Sequence, residues 1–490
     1  MITDVEPHAP ITTTSPGPYK IVAATAFGTF LSALDSSIVN VSLVTIANNL
    51  GAEMASIQWV VVAYLLVMTS TMPLMGKIGD RYGKTRVFQI GMLVFTVGSL
   101  SCALSVGLEM LIASRVLQAL GASIMSANGL ALVTYFTTPE NRGRAIGMNS
   151  IVLAAALGLG PVLGGLLTEL FGWPSIFLVN LPIGLVGILI VWRIVPDTEH
   201  IHETKFDTLG AALFFSFLFL FIYYVTVSTE ASLFTAGILV IGTVASFVAF
   251  ILRERGFVSP VISLDVLSDR RISTSIFSAI LSYMAMVPIS FLLPFYLQEA
   301  LGFTPAATGA FLVIQPLVIS VTGPVAGVIS ERVKAKIQTV FGLILQFIGL
   351  VFIGLTVPDV VMMGVGVAMM GTGLSVFSVA NGNFIMTSAP KKYMGVVSAL
   401  TNVARTTGFS VATALVTTIF GLFFALFNPL NLPSGPGFVS AYSLGVQATV
   451  WTFSILTIIA ALISAVRGTN SAEDERSSGT RSHPELVSDE

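Results

Sequence analysis

Long apolar stretches separated by short polar breaks dominate the chain, and fourteen of them are long enough to be helices that cross a bilayer. They run at about residues 20–46, 57–76, 87–107, 109–135, 143–168, 174–194, 208–227 and 231–252, then 273–297, 305–330, 337–356, 359–385, 394–425 and 438–466. A helix rises about 1.5 Å per residue, so about twenty residues cover roughly 30 Å of hydrocarbon. Backbone amides find no water in that layer, and a continuous helix satisfies them internally. The pattern predicts an all-α membrane protein with fourteen transmembrane helices. Residues 1–18 and 468–490 are polar and rich in Ser, Thr, Pro and acids, and they read as disordered tails.

These spans sort the charges. Of 23 Lys and Arg, Arg115 and Arg405 fall inside spans and the other 21 lie on the side of the N-terminus. Basic loops stay cytoplasmic, so both ends are expected inside. A missed or extra span would throw later basic loops onto the wrong face, so the asymmetry also supports the count. Loops on the far side are short and carry Glu53, Glu169, Glu230, Glu299 or Asp359.

Composition agrees: 490 residues, 54% hydrophobic and 10% charged, with a mean hydropathy of +0.90, are far from a soluble globular chain. The net charge of −2 says nothing about nucleic acid, because the bases are dispersed over short loops rather than gathered in one patch, and no nucleic-acid partner is expected. One cysteine, Cys102, excludes an internal disulfide or a cysteine metal cluster, and His8, His200, His202 and His483 fall in tails or a loop. No metal or organic cofactor is expected. The polar stretch before Tyr19 leads into a full-length span rather than a cleavable signal.

The segment after the second span reads Gly76-Lys77-Ile78-Gly79-Asp80-Arg81-Tyr82-Gly83-Lys84-Thr85-Arg86. Its glycines permit a tight interhelical turn, and one acid among four bases can form a charge network that holds one arrangement closed. A degraded relative, Gly327 to Lys336, follows the tenth span, and two copies eight spans apart suggest an internal duplication. Gly83-Lys84-Thr85 imitates the end of a phosphate-binding loop, but Ile78 and Gly79 break the required spacing. With no nucleotide-binding domain, any transport must be secondary and no ATP is used. An intramembrane hydrolase lacks its histidine, zinc or Ser-Lys signature, and a channel does not explain duplicated halves. No enzyme activity is expected.

The Gly76–Arg86 segment resembles the signature loop of the major facilitator superfamily, and further matches resemble its fourteen-helix drug:proton antiporter family. They are Leu34 to Val41 in the first helix, Gln58-Trp59-Val60 with Tyr64-Leu65 in the second, and Arg115 to Gly121 in the fourth. Gly158 to Gly165 in the fifth and Asn180 to Gly184 in the sixth complete the set. Departures are Ser37, Val44, Ala119 and Pro174, where that family favours Thr, Pro, Gly and Arg. The resemblance covers nearly the whole chain and is strongest over residues 30–190. It implies the major facilitator fold, two six-helix bundles plus an inserted two-helix hairpin. The expected domains are residues 19–194, a linker and hairpin at 195–255, and 256–467.

Counting rise per residue puts Asp35 about 22 Å into the first span and Arg115 at a similar depth in the fourth. Opposite charges in hydrocarbon must face the bundle interior, each other or a shared aqueous cavity. Asp35 is the one carboxylate well inside any span, and a desolvated carboxylate near a cation can bind and release a proton. A purely structural pair is the alternative. Arg405 lies near the midplane, where it would bind an anionic group, pair with a helix end or lock its bundle. Asn40, Gln315 and Asn381 are candidates to line the same cavity, though helix–helix hydrogen bonds account equally well for such residues. In the fifth span Gly158, Gly160, Pro161, Gly164 and Gly165 suggest a thin, kinked surface that seals the bundles against each other.

The reading at this point is a proton-coupled exporter of hydrophobic, often cationic compounds working by alternating access, with Asp35 as principal proton carrier. Its partners are a small-molecule substrate, protons and membrane lipids, and a monomer is expected. Compact loops without a sequon on the outer side point to a prokaryotic plasma membrane. The alternative is a dedicated exporter of one metabolite, lipid or amino acid, for which Arg405 favours an anion.

Overall fold

A computed structural model describes residues 18–197, 207–227, 231–257, 264–330, 332–389 and 394–467. The tails, all four histidines, Glu230 and Glu331 lie outside the described residues. Fourteen helices among the described residues are long and apolar enough to cross a membrane. The first eight are α1 (Pro18–Leu50), α2 (Met54–Tyr82), α3 (Lys84–Ala103), α4 (Leu108–Tyr135), α5 (Pro139–Phe171), α6 (Ser175–Ile194), α7 (Thr208–Val227) and α8 (Leu233–Gly256). The remainder are α9 (Arg270–Ala300), α10 (Pro305–Ser330), α11 (Ala335–Thr356), α12 (Val360–Ser388), α13 (Met394–Phe427) and α14 (Pro436–Ala465).

Local chemistry explains several ends. Thr304 caps α10 ahead of Pro305, Asp359 accepts from the amides of Val361 and Met362 at the start of α12, and Gly435-Pro436 opens α14. In α9, Pro288 and Pro294 remove backbone donors, and the helix passes through wide turns at Pro288–Leu292 and Tyr296–Ala300.

The helices outrun the apolar runs. The expected Gly76–Arg86 loop is a correction: Gly76 to Tyr82 continue α2, Lys84 opens α3, and Gly83 at φ +92° is the whole turn. Hydropathy marks the hydrocarbon core, whereas helix continues into the interface until a residue must reverse the backbone, which glycine does without steric penalty. Glu299, expected in a loop, sits in the last turn of α9, where Tyr442 Oη donates to it at 3.3 Å.

Helices α1–α6 form one bundle and α9–α14 the other. The α7–α8 hairpin packs on α2 and α13, with Trp59 against Phe219 and Tyr223, and Thr418 Oγ1 donating to Val225 O at 3.1 Å. Helix α8 leaves Leu233, Phe234 and Ile241 exposed, as a lipid-facing helix does. The bundles touch at one end. There Gln298 Nε2 donates to Val41 O at 2.9 Å and the Ala306 amide to Glu169 Oε2 at 3.0 Å.

Candidate functional site

Between the bundles lies a cavity of about 490 Å³ that reaches from this closed end toward the end with the basic segments, past Met72, Leu130 and Asn149 on one side and Ser320, Ser378 and Asn402 on the other. Helix α5 builds the closed end. A Cβ on Gly160 would overlap Ser37, one on Gly164 the Ile38 carbonyl, and one on Gly165 the Pro305 carbonyl of the other bundle. Gly309 of α10 meets the Pro161 carbonyl in the same way, while Gly158 faces Pro316 at an ordinary 3.7 Å. Small residues thus let three helices meet backbone to backbone.

Two residues before that clasp, Asp35 is fully buried. Its Oδ2 pairs with Arg115 Nη1 at 2.6 Å, and its Oδ1 accepts from Gln118 Nε2 at 2.7 Å and Asn180 Nδ2 at 3.2 Å. Arg115 also donates to Gln118 Oε1 at 2.5 Å and to Val60 O at 3.1 Å, and its guanidinium lies over the Tyr64 ring at 4.0 Å. Ser99 Oγ accepts from both amides, at 3.1 Å and 3.0 Å, and donates to Phe177 O at 2.9 Å. Residues of five helices therefore gather around one carboxylate, whose desolvation cost is answered by one charged donor, Arg115, and two neutral amides. The depth count from sequence brings Asp35 and Arg115 together correctly, but it misses Gln118, Asn180, Ser99 and Tyr64. A signal was present: Gln118 is one turn beyond Arg115 on the same helix face.

Asp35 does not line the cavity; Arg115, Tyr64 and Asn40 do, together with Pro161, Gln315 and Arg405. Tyr64 Oη and Asn40 Oδ1 are buried without a hydrogen-bond partner among the described residues. Gln315 Nε2 reaches Met370 Sδ at 3.7 Å. Asn381 is a correction: it is away from the cavity, donating to Ser275 O at 3.1 Å and accepting from Arg467 Nη1 at 3.2 Å. A helix that is apolar all round gives no facing direction to its lone amide.

The charges of the glycine-rich segment meet partners in the first bundle and beyond it: Lys77 faces the carboxylates of Asp207, ahead of α7, and Glu254 of α8. Asp80 pairs with Lys84, Arg81 lies over the Tyr82 ring at 5.3 Å, and Arg86 Nη2 pairs with Asp197 after α6 at 2.8 Å. Gly76 approaches Ala127, and Gly79 is pressed against Asn128 of α4, which donates to Met75 O at 3.1 Å.

Residues 25–413 match the Major Facilitator Superfamily. The chain is 32% identical over 440 residues to the riboflavin transporter RibZ of Clostridioides difficile, covering 89% of this chain and 94% of that one. It is 29% identical over 418 residues to the tetracenomycin C resistance and export protein of Streptomyces glaucescens, covering 84% and 77%. Among solved structures, a bacterial homologue of the human lysosomal transporter Spinster, inward-facing and unoccupied, superposes with a TM-score of 0.68 at 15% identity over 92% of this chain and 97% of that chain.

Proposed function

The chain belongs to the major facilitator superfamily, a multi-pass membrane transporter of small molecules, and from that premise we propose that it exports hydrophobic compounds in exchange for protons. In this reading it works in the plasma membrane of a prokaryote, with the basic segments and both termini in the cytoplasm, so that the cavity faces inward. Relatives in this similarity range include a tetracenomycin C resistance and export protein and a methylenomycin A resistance protein, which supports efflux. The similarity to a riboflavin transporter supports the second reading, a carrier dedicated to one metabolite.

The observation that carries proton coupling is the position of Asp35. It is fully buried and held by Arg115, Gln118 and Asn180, so loading it with a proton is coupled to opening of the Arg115 contact. The Ser37–Ile38 segment that α5 clasps is less than one turn away, so loading and unloading the carboxylate acts on the closed end directly. Protonation removes the charge that holds Arg115, and substrate entering beside Arg115 and Tyr64 favours the opposite state. Gly160, Gly164 and Gly165 serve as the seal, and the Gly76–Arg86 segment keeps the basic ends of α2 and α3 in register.

The test is uptake of the neutral dye Nile red by energised everted vesicles. Native protein is expected to accumulate dye, and both a protonophore and Asp35→Asn are expected to abolish it. Protonophore-sensitive uptake that survives Asp35→Asn would move the proton site elsewhere, and absence of native uptake would refute the exporter reading.

A further inference from the structure

The cavity wall carries two arginines and, among the described residues, neither Asp nor Glu. Arg115 spends its charge on Asp35. Arg405 has no such partner: its hydrogen bond is a long one, Nη2 to Asn402 Oδ1 at 3.4 Å on its own helix, and none of the ion pairs among the described residues includes it. It is only half-buried, and it lines the cavity. One turn along α13, Phe409 shares that wall, its ring 6.0 Å from the ring of Tyr283 on α9. Met286 of α9 and Phe291 in its proline-widened stretch extend the apolar surface.

A cation in a low-dielectric cavity is costly unless a counter-charge meets it. Here the described residues provide none, while the donor fork of arginine matches a planar or tetrahedral anion and its neighbours match a flat apolar body. A cationic ligand would meet Arg405 with no carboxylate on the wall to offset the repulsion, because Asp35 is sealed behind Arg115.

We propose that Arg405 anchors a subsite for amphipathic organic anions, a carboxylate or sulfonate on an aromatic body that lies against Tyr283 and Phe409. The proposal rests on the exporter reading and gives its hydrophobic substrates an anionic group, in place of the cations expected from the sequence.

Binding of three probes of one shape tests it: 2-naphthalenesulfonate, neutral 2-naphthalenesulfonamide and cationic 2-naphthyltrimethylammonium. The full chain is held in nanodiscs of phosphatidylcholine alone, so that no lipid headgroup supplies a net anion. Native protein is expected to bind the sulfonate at least about tenfold more tightly than the ammonium. Arg405→Gln is expected to weaken the sulfonate by about 10- to 100-fold, the range of a hydrogen bond to a charged group, and to leave the sulfonamide within about threefold. Arg405→Lys keeps the charge and is expected to retain a preference for the sulfonate. Native protein that favours the ammonium or does not discriminate overturns the proposal, as does Arg405→Gln that binds the sulfonate like the native chain. Equilibrium binding needs no gradient, so charge selection without proton-driven uptake would sink the exporter reading alone, and proton-driven uptake without charge selection would sink this proposal alone.

Discussion

The first bundle buries its acid, Asp35, under three donors drawn from α4 and α6, whereas the second leaves its base, Arg405, half-open on the cavity wall with one long bond to its own helix. Both charges sit far from the ends of their spans, and both are expensive there. The first bundle meets the expense with protein groups. The second leaves it to be met by what enters the cavity. In the proposed mechanism coupling and recognition are thereby separated between the two bundles, and Arg115 and Tyr64, which line the cavity, are the surface through which they would communicate.

The largest expected effect breaks the first side of this comparison. Arg115→Ala strands a buried carboxylate and is expected to cost about 3–5 kcal/mol, read as a lowered melting temperature in detergent. Asp35→Asn with Arg115→Gln removes both charges and is expected to recover most of that stability without recovering transport. If the double variant melts as low as Arg115→Ala, burial of an unpaired charge is not the cause.

Next comes the clasp between the bundles. Gly164→Leu has no room beside the Ile38 carbonyl and is expected to cost about 1–3 kcal/mol and to stop transport while probe binding persists. Native transport by this variant would show that the closed end has slack and does not act as a seal.

By contrast, Arg405→Gln breaks no ion pair among the described residues, and its stability is expected to stay within about 0.5 kcal/mol of native. A loss as large as that of Arg115→Ala would mean that Arg405 is structural, and the comparison would fail.

A further effect lies outside the membrane. Asp269 caps α9 by accepting from the Arg271 amide at 2.8 Å, and its carboxyl is held below the usual carboxylate range, chiefly by the hydrogen bond from the Arg271 side chain. A depressed pKa adds stability that is present above the unfolded carboxylate value and is lost as pH falls through the folded one. Asp269→Ala is therefore expected to lower stability at neutral pH by no more than about 1 kcal/mol and to flatten the melting profile on the acid side. An unchanged acid limb in this variant would show that the cap contributes nothing.

Much of this was legible in the sequence because a bilayer admits few solutions. Apolar length gives the fourteen spans, and depth counting from Lys20 to Asp35 and from Glu109 to Arg115 is enough to bring the ion pair together. Helix ends were not legible: Lys77, Asp80 and Arg81 read as loop, yet they continue α2 until Gly83 turns the chain. Facing direction was legible only where a charge demanded it. Asp35 and Arg115 had to find partners, but Asn381 could satisfy itself on any neighbour and does so on Ser275 and Arg467. The amides around Asp35 had the same ambiguity, and only the fold shows that Gln118 and Asn180 converge with Ser99 on one carboxylate.

The division of labour is tested most directly in proteoliposomes that enclose the pH dye pyranine, with an imposed gradient of 2-naphthalenesulfonate, a permanent anion that carries no proton of its own. The account predicts that the gradient drives protons in the opposite direction through the native chain, that Asp35→Asn abolishes the proton signal while still binding the probe, and that Arg405→Gln abolishes it by losing the probe. A native chain that moves no protons, or Asp35→Asn with a pyranine response of native size, would contradict it.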